Sequence, residues 1–226
     1  MLKLISSMAT RQVLAELAAA WQKTSGVDVA IESVGGIDAA KRVQAGEAFD
    51  GVVLASEAID KLAAGGQVVA GSRVDLVISS VAIAVKAGAP LPDISTEAAL
   101  RSAIAAAPTI GYSTGPSGTA LITLFERWGM AEALRTKIIQ AQPGVPVGTL
   151  VARGEVALGF QQLSELMHLE GITVVGNMPD AAAITTVFSA ATCAASSQRA
   201  TLGRLYAFMT APEAAAVKRK HGMQAV

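Results

Sequence analysis

Net charge, aromatic side chains, cysteine and histidine are all scarce in this sequence. Eighteen basic residues balance eighteen acidic ones, and 4% of residues are aromatic. With no basic run and no aromatic-plus-basic stripe, there is no footprint for a nucleic-acid partner. The one cysteine, Cys193 in "VFSAATCAAS", permits no intramolecular disulfide and reads as a small buried core residue. His168 and His221 have no second ligand at a useful spacing, so no metal site is expected. No phosphate-loop or dinucleotide fingerprint occurs, and no cofactor is expected. No segment reaches the ~18 to 20 consecutive apolar residues of a membrane span, so no membrane insertion is expected. Met1 runs straight into an apolar strand pattern without a leader-like segment. The chain as written therefore reads as cytoplasmic, or as periplasmic if an export signal was removed.

What is present is apolar and alternating. At 52% hydrophobic and 16% charged, 226 residues suffice for a full core, in one large domain or two small lobes. "LKLISS" reads as a strand and "MATRQVLAELAAAWQKTSG" as a helix closed by Gly26, with Val13, Leu14, Leu17 and Trp21 on one face. "VDVAIES", "IDAAKRVQAGE", "DGVVLAS" and "EAIDKLAAGG" continue the alternation, which predicts an α/β fold with mostly parallel sheets. "RVDLVISSVAIAVKAG" and "AAITTVFSAATCAASS" are too long for ordinary strands and read as two crossovers between lobes. They predict a discontinuous first lobe (1–80 plus 187–226), a second lobe (81–186), and a ligand cleft between them. The C-terminal "RATLGRLYAFMTAPEAAAVKRKHGM" reads as helical, with Pro212 at a helix start.

Four strand-to-helix junctions carry the candidate chemistry: "SSMATR", "SVGGID", "LASEA" and "STGPSGTA". Ligands of open α/β sheets bind outside the carboxyl ends of the strands, where helix N-termini offer unpaired N–H groups to anions. Ser117, Gly118 and Thr119 supply hydroxyls and amides, with Ser117 also eligible as an ordinary N-cap. Arg11 opposes the positive end of its helix dipole. A bound carboxylate would reverse that penalty, and the alternatives are a solvated arginine or a pair with Glu16 or Asp38. Arg73 reads as structural. In "GFQQLSELMH", Gln161 and Gln162 can donate to an oxyanion or accept from a hydroxyl.

The stretches "SSMATRQVLAELAAAWQKTSGVDV", "SVGGIDAAKRVQAGEAFDGVVLAS", "IDKLAAGGQVVAGSR" and "GPSG" resemble the extracellular solute-binding proteins of the molybdate-binding type. The resemblance covers nearly the whole chain and implies a two-lobed type 2 periplasmic-binding fold. It implies a small anionic ligand, an organic acid or an oxyanion, held by Ser7, Met8, Gly36, Ser56, Ser117 and Gly118, with the backbone near Val145 and Val147. It also implies a transporter permease as partner if the chain is exported. Where molybdate binders typically carry a serine after the paired glycines, this chain has Ile37, and "FQQLSE" replaces a stretch with a tyrosine. Arg11 too lies outside that pattern. An arginine with two glutamines suits a di- or tricarboxylate better than a tetrahedral oxyanion. In these departures the sequence is similar to the aconitate isomerases, which use this fold for a 1,3-proton shift. For the base of such a reaction, His168, Glu57 and Glu165 are candidates by position.

Overall fold

The computed structural model describes residues 1–226. Its first stretch runs β1 (Leu2–Ser7), a 3-10 turn (Met8–Thr10), α1 (Arg11–Ser25), β2 (Val29–Val34), α2 (Gly36–Gln44), β3 (Gly51–Ala55) and α3 (Ser56–Ala64). The long strand β4 (Val74–Lys86) leads to α4 (Glu97–Ala106), β5 (Ile110–Tyr112), α5 (Pro116–Arg127), α6 (Ala131–Leu134), β6 (Ile138–Gln140) and α7 (Val147–Arg153). Then follow β7 (Leu158–Gln162), α8 (Leu163–Leu166), β8 (Ile172–Asn177), β9 (Thr185–Thr192), α9 (Arg199–Thr210), α10 (Ala215–Lys220) and β10 (Met223–Ala225). No helix is long and apolar enough to cross a membrane. The chain divides into two compact units, residues 1–79 with 186–226, and residues 80–185.

In the first unit β1 pairs in parallel with both β2 and β3, and β9 adds antiparallel to β3. Strand alternation decides which helices cover which face. Leu2, Leu4, Val53 and Ala55 pack with Val13, Leu14, Leu17 and Trp21 of α1 and with Leu202, Leu205 and Met209 of α9. Ile5, Val52 and Leu54 point the other way, onto Ala39 and Val43 of α2 and Ile59 and Leu62 of α3. Both faces are covered, which is why "GVVLA" is apolar at every position and buried throughout. Gly26 ends α1 at φ 70°, where its N–H reaches the Gln22 carbonyl at 2.9 Å. Arg73 is indeed structural, bridging Asp60 and Asp75 across 2.9 Å contacts, while Ser189 of β9 donates to Asp75 at 2.6 Å. This network ties the start of β4 to α3 and β9.

In the second unit β5 lies between β6 and β7, parallel to both. The later half of β4 runs antiparallel to β7, and β8 pairs with β4 through a bulge at Ile83/Ala84. Leu100 and Ile104 of α4 and Leu121, Leu124 and Phe125 of α5 close one face over Ile110, Leu158 and Phe160. Val147 and Val151 of α7 pack with Val156 and Ala141 in a separate cluster.

Two elements differ from the sequence reading. "ITVVGN" forms β8, a strand only partly buried along its length, so its pattern carries little of the contrast that marks a core strand. The C-terminal stretch breaks at Pro212, the helix start read from the sequence, and departs from that reading in ending on a strand, β10. α9 stops at Thr210, Pro212 opens a 3-10 turn, α10 resumes at Ala215, and Met223–Ala225 pairs with β4. Proline lacks the N–H that a continuous helix would need there. Cys193 is a free, buried thiol that burial pushes up to about 12, as a core residue should be.

Candidate functional sites on the two units

Parallel strands bring their following helices to one edge. In the first unit the carboxyl ends of β2, β1 and β3 lie side by side, with Ser7 in register with Val34. α2 and α3 both begin without a side-chain cap, at Gly35 and Ala55, so the N–H groups of their first turns are left for other acceptors. Ser7 caps its own 3-10 turn through Ala9, and a methyl group on Gly36 would lie 3.8 Å from the Ser7 hydroxyl. Ser7, Met8, Gly36 and Ser56 therefore gather at this edge. They offer neutral donors rather than charged side chains.

Arg11 opens α1 and is exposed. It forms neither of the ion pairs open to it from the sequence. Glu16 is instead held by Lys220 and His221, each at 2.8 Å, and those contacts pull the Glu16 carboxyl below its usual range. Arg11 is a cation at a helix start without an internal partner.

In the second unit, Ser113 organises the glycine-rich loop. Its hydroxyl meets that of Ser117 at 3.1 Å and accepts from the Gly115 N–H at 3.3 Å. The helix cap is Gly115, not Ser117, because α5 starts at Pro116, whose fixed φ suits the first helical position. Gly118 and Thr119 N–H groups both turn back to the Gly115 carbonyl, at 3.0 and 3.2 Å. That leaves the Ser117 N–H as the open donor of the turn. Ser117 and Gly118 are buried, and Thr119 is exposed.

The loop after β6 passes through Val145 into α7. The Val147 N–H donates at 2.7 Å to the side-chain oxygen of Gln161, a buried bond. The first donor of α7 is thus already committed, and Gln161 caps a helix across the sheet edge. Gln162 is buried beside it at the end of β7.

Of the three candidate bases, the structure separates one. Glu57 and His168 are exposed side chains. Glu165, in α8 directly after β7, keeps part of its surface in solvent while its carboxyl is crowded by protein. Burial pushes that carboxyl up to about 7, against a smaller opposing pull from a hydrogen bond with Gln161. A carboxylic acid titrating near neutrality at a sheet edge has the profile of an acid-base group. The residue missed from the sequence is Ser113. Its signal was there: a serine four residues before Ser117, directly after a short apolar strand, in the position from which a hydroxyl reaches a loop amide.

The geometry has close parallels. The family model for bacterial extracellular solute-binding proteins matches residues 2–224. An aconitate isomerase from a Pseudomonas species is 37% identical over 231 aligned positions, covering 100% of this chain and 88% of that one. Among solved structures, the periplasmic molybdate-binding protein of Azotobacter vinelandii superposes with a TM-score of 0.82 at 22% identity, covering 99% of this chain and 98% of that one. The tungstate ABC transporter structure from Geobacter sulfurreducens superposes with a TM-score of 0.75 at 17% identity, covering 97% of each chain. These two likenesses establish the two-lobed type 2 binding-protein fold.

Proposed function

The chain belongs to the bacterial extracellular solute-binding protein family, and we propose that within it this protein is an isomerase of a small unsaturated polycarboxylate, interconverting trans- and cis-aconitate. The observation that carries this reading is Glu165, a carboxyl that burial raises to about 7 at the end of β7, where a binding protein that only holds its ligand needs no such group. The full-length likeness to an aconitate isomerase supports it.

The chemistry follows from the groups available. Ionised Glu165 takes a proton from the substrate's methylene carbon. The C–H electron pair delocalises through the double bond onto a carboxylate, and a proton from Glu165 returns at the far carbon of the allylic system. Atoms and electrons balance with no oxidant or reductant. Charge developing on the carboxylate needs preorganised donors, and the Ser117 N–H is one, joined by whichever of the Ser113 and Ser117 hydroxyls does not donate to the other. Each well-placed donor of this kind is worth roughly 10²–10³ in rate. Within the first unit, Ser7, Gly36 and Ser56 at the strand ends and Arg11 at the start of α1 are the groups suited to a carboxylate.

The test is direct. The protein is mixed with trans-aconitate in deuterium oxide and the vinyl and methylene proton signals are followed by NMR. The reading requires cis product together with deuterium in the substrate carbons. Tight binding of molybdate or aconitate with no exchange and no product overturns it in favour of a receptor.

A further inference from the structure

We propose that the first unit carries a second binding site, for a small amphipathic monocarboxylate, in a cavity between α9 and the segment that leads into β4. The site is independent of the isomerase reading and of the strand-end donors assigned to it.

The cavity has a volume of about 390 Å³, within the range of small-molecule pockets. It lies at the other end of the sheet from Ser7, Gly36 and Ser56. Its wall residue Thr192 pairs with Gly51, the first residue of β3, whereas Ser56 follows the last. Those two ends are roughly 13 Å apart along the strand. Both walls are fixed by the fold. The Val69 N–H donates to the Thr192 carbonyl at 2.8 Å, and the Thr192 N–H donates to the Ser72 hydroxyl at 3.1 Å, which ties the segment before β4 to the end of β9. Opposite, α9 buries Leu202, Leu205 and Met209 in the core and turns Gly203 and Ala207 to the cavity.

Nothing in the surrounding packing requires a glycine at 203. It lies in the interior of α9, where only proline is less favourable. A Cβ built on it meets nothing within 4 Å, so no neighbouring segment needs the side chain to be missing. What the missing side chain does is keep the cavity open along the helix.

The lining decides what fits. Its hydroxyl protons are already spent on backbone carbonyls: Ser72 donates to Val69 at 2.7 Å, Tyr206 to Ala191 at 3.0 Å and Thr210 to Tyr206 at 2.9 Å. Val69, Val74 and Ala207 add apolar surface, and no lining residue is acidic. The one charge is Arg199, whose guanidinium reaches the Ala194 carbonyl at 3.4 Å and forms no ion pair within the chain. A guanidinium takes a carboxylate through two parallel N–H bonds. One cation above apolar walls therefore matches a compact apolar body bearing a single carboxylate. Further charges on the ligand would be carried onto walls that cannot pair them.

Three probes separate charge from shape: benzoate carries both, acetate the charge alone and benzyl alcohol the apolar body alone. Each is titrated into the full chain while the amide signals of Gly71, Gly203 and Ala207 are followed by NMR. Benzoate is expected to shift them to saturation, about tenfold more tightly than either of the others. Arg199→Gln should weaken benzoate by about tenfold and leave benzyl alcohol as it is. Gly203→Leu should abolish the shifts at Gly71 and Ala207 by filling the cavity from α9. Gly203→Ala, which favours the helix, should weaken them where the leucine variant does not fold. Saturating trans-aconitate should leave benzoate in place. Absence of a saturable shift, equal benzoate affinity in Arg199→Gln, or displacement by trans-aconitate overturns the proposal. A protein that binds benzoate here but neither exchanges nor isomerises aconitate keeps this site and loses only the assigned reaction.

Discussion

Gly118 lies so close to Ser113 that a methyl group added to it would sit 1.8 Å from the Ser113 carbonyl oxygen. No side chain other than hydrogen fits there, because the obstacle is backbone and cannot rotate away. The close approach is what seats the first turn of α5 under the loop and brings the Ser113 and Ser117 hydroxyls to 3.1 Å.

Gly118→Ala therefore forces the α5 start away from the loop. It is expected to cost about 1–3 kcal/mol of stability, as overpacking does. It should also weaken trans-aconitate binding by more than tenfold, because the open Ser117 N–H moves with the turn. Urea denaturation and calorimetry measure the two effects separately. Unchanged ligand affinity in the folded variant would show that this turn holds no part of the substrate.

The sequence makes this loop visible as a glycine- and serine-rich helix start, and it makes β4 visible through its 13-residue length, whereas β9 is an ordinary strand of 8 residues inside a longer apolar stretch. It does not reveal the cap. Choosing between Ser117 and Gly115 depends on where Pro116 sits relative to the first helical turn, a matter of one or two residues that pattern cannot resolve. The same limit applies to the base. Glu57, Glu165 and His168 are equivalent in a string of letters, and only the crowding of one carboxyl distinguishes Glu165. Gln161 looks like any glutamine until the fold brings it to the N–H of Val147, fourteen positions away. β8 and β10 were illegible for a simpler reason: short, half-exposed strands lack a clear alternation.

Arg11 yields a sharper expectation. It is exposed at the first position of α1, and Glu16, its nearest candidate partner in sequence, is taken by Lys220 and His221. A cation held at the positive end of a helix without a counter-ion is destabilising by a few tenths of a kcal/mol or more. Arg11→Ala should leave stability unchanged or slightly raised, while weakening a di- or tricarboxylate by well over tenfold, from the ~1.5–3 kcal/mol of a hydrogen bond to a charged group. Calorimetry with trans-aconitate measures this. Equal affinity in the two proteins would remove Arg11 from the site.

Ile37 bears on ligand choice. It is 50% exposed in the first turn of α2, next to Gly36 and among donors. A large apolar side chain there offers nothing to a tetrahedral oxyanion, but it can cover the carbon skeleton of an organic acid at roughly 0.8 kcal/mol per buried methylene. Ile37→Ser exchanges that contact for a hydroxyl donor. The ratio of trans-aconitate to molybdate affinity should fall by about tenfold, a shift of roughly 1.4 kcal/mol. Parallel titrations with the two ligands check it, and an unaltered ratio would mean that Ile37 has no part in selectivity.

Glu165 makes a prediction that needs no ligand. Its carboxyl titrates near 4.5 in an unfolded chain and at about 7 in the fold. Between those values the folded state keeps a proton that the unfolded state has lost, so stability falls as pH rises through that window. Below 4.5 both states are protonated and there is no cost; above 7 the fold carries a buried carboxylate and the cost is complete. The gap corresponds to up to about 3 kcal/mol. Glu165→Gln keeps an acceptor for the Gln161 amide and removes the titration. It should match the wild type at pH 4, where both carry a neutral side chain, and exceed it by up to about 3 kcal/mol at pH 8. Urea denaturation at the two pH values measures the difference. The same variant should lose turnover, so stability gained and activity lost would trace to one carboxyl. Parallel pH dependence in the two proteins would mean that Glu165 titrates in the fold as it does in the unfolded chain.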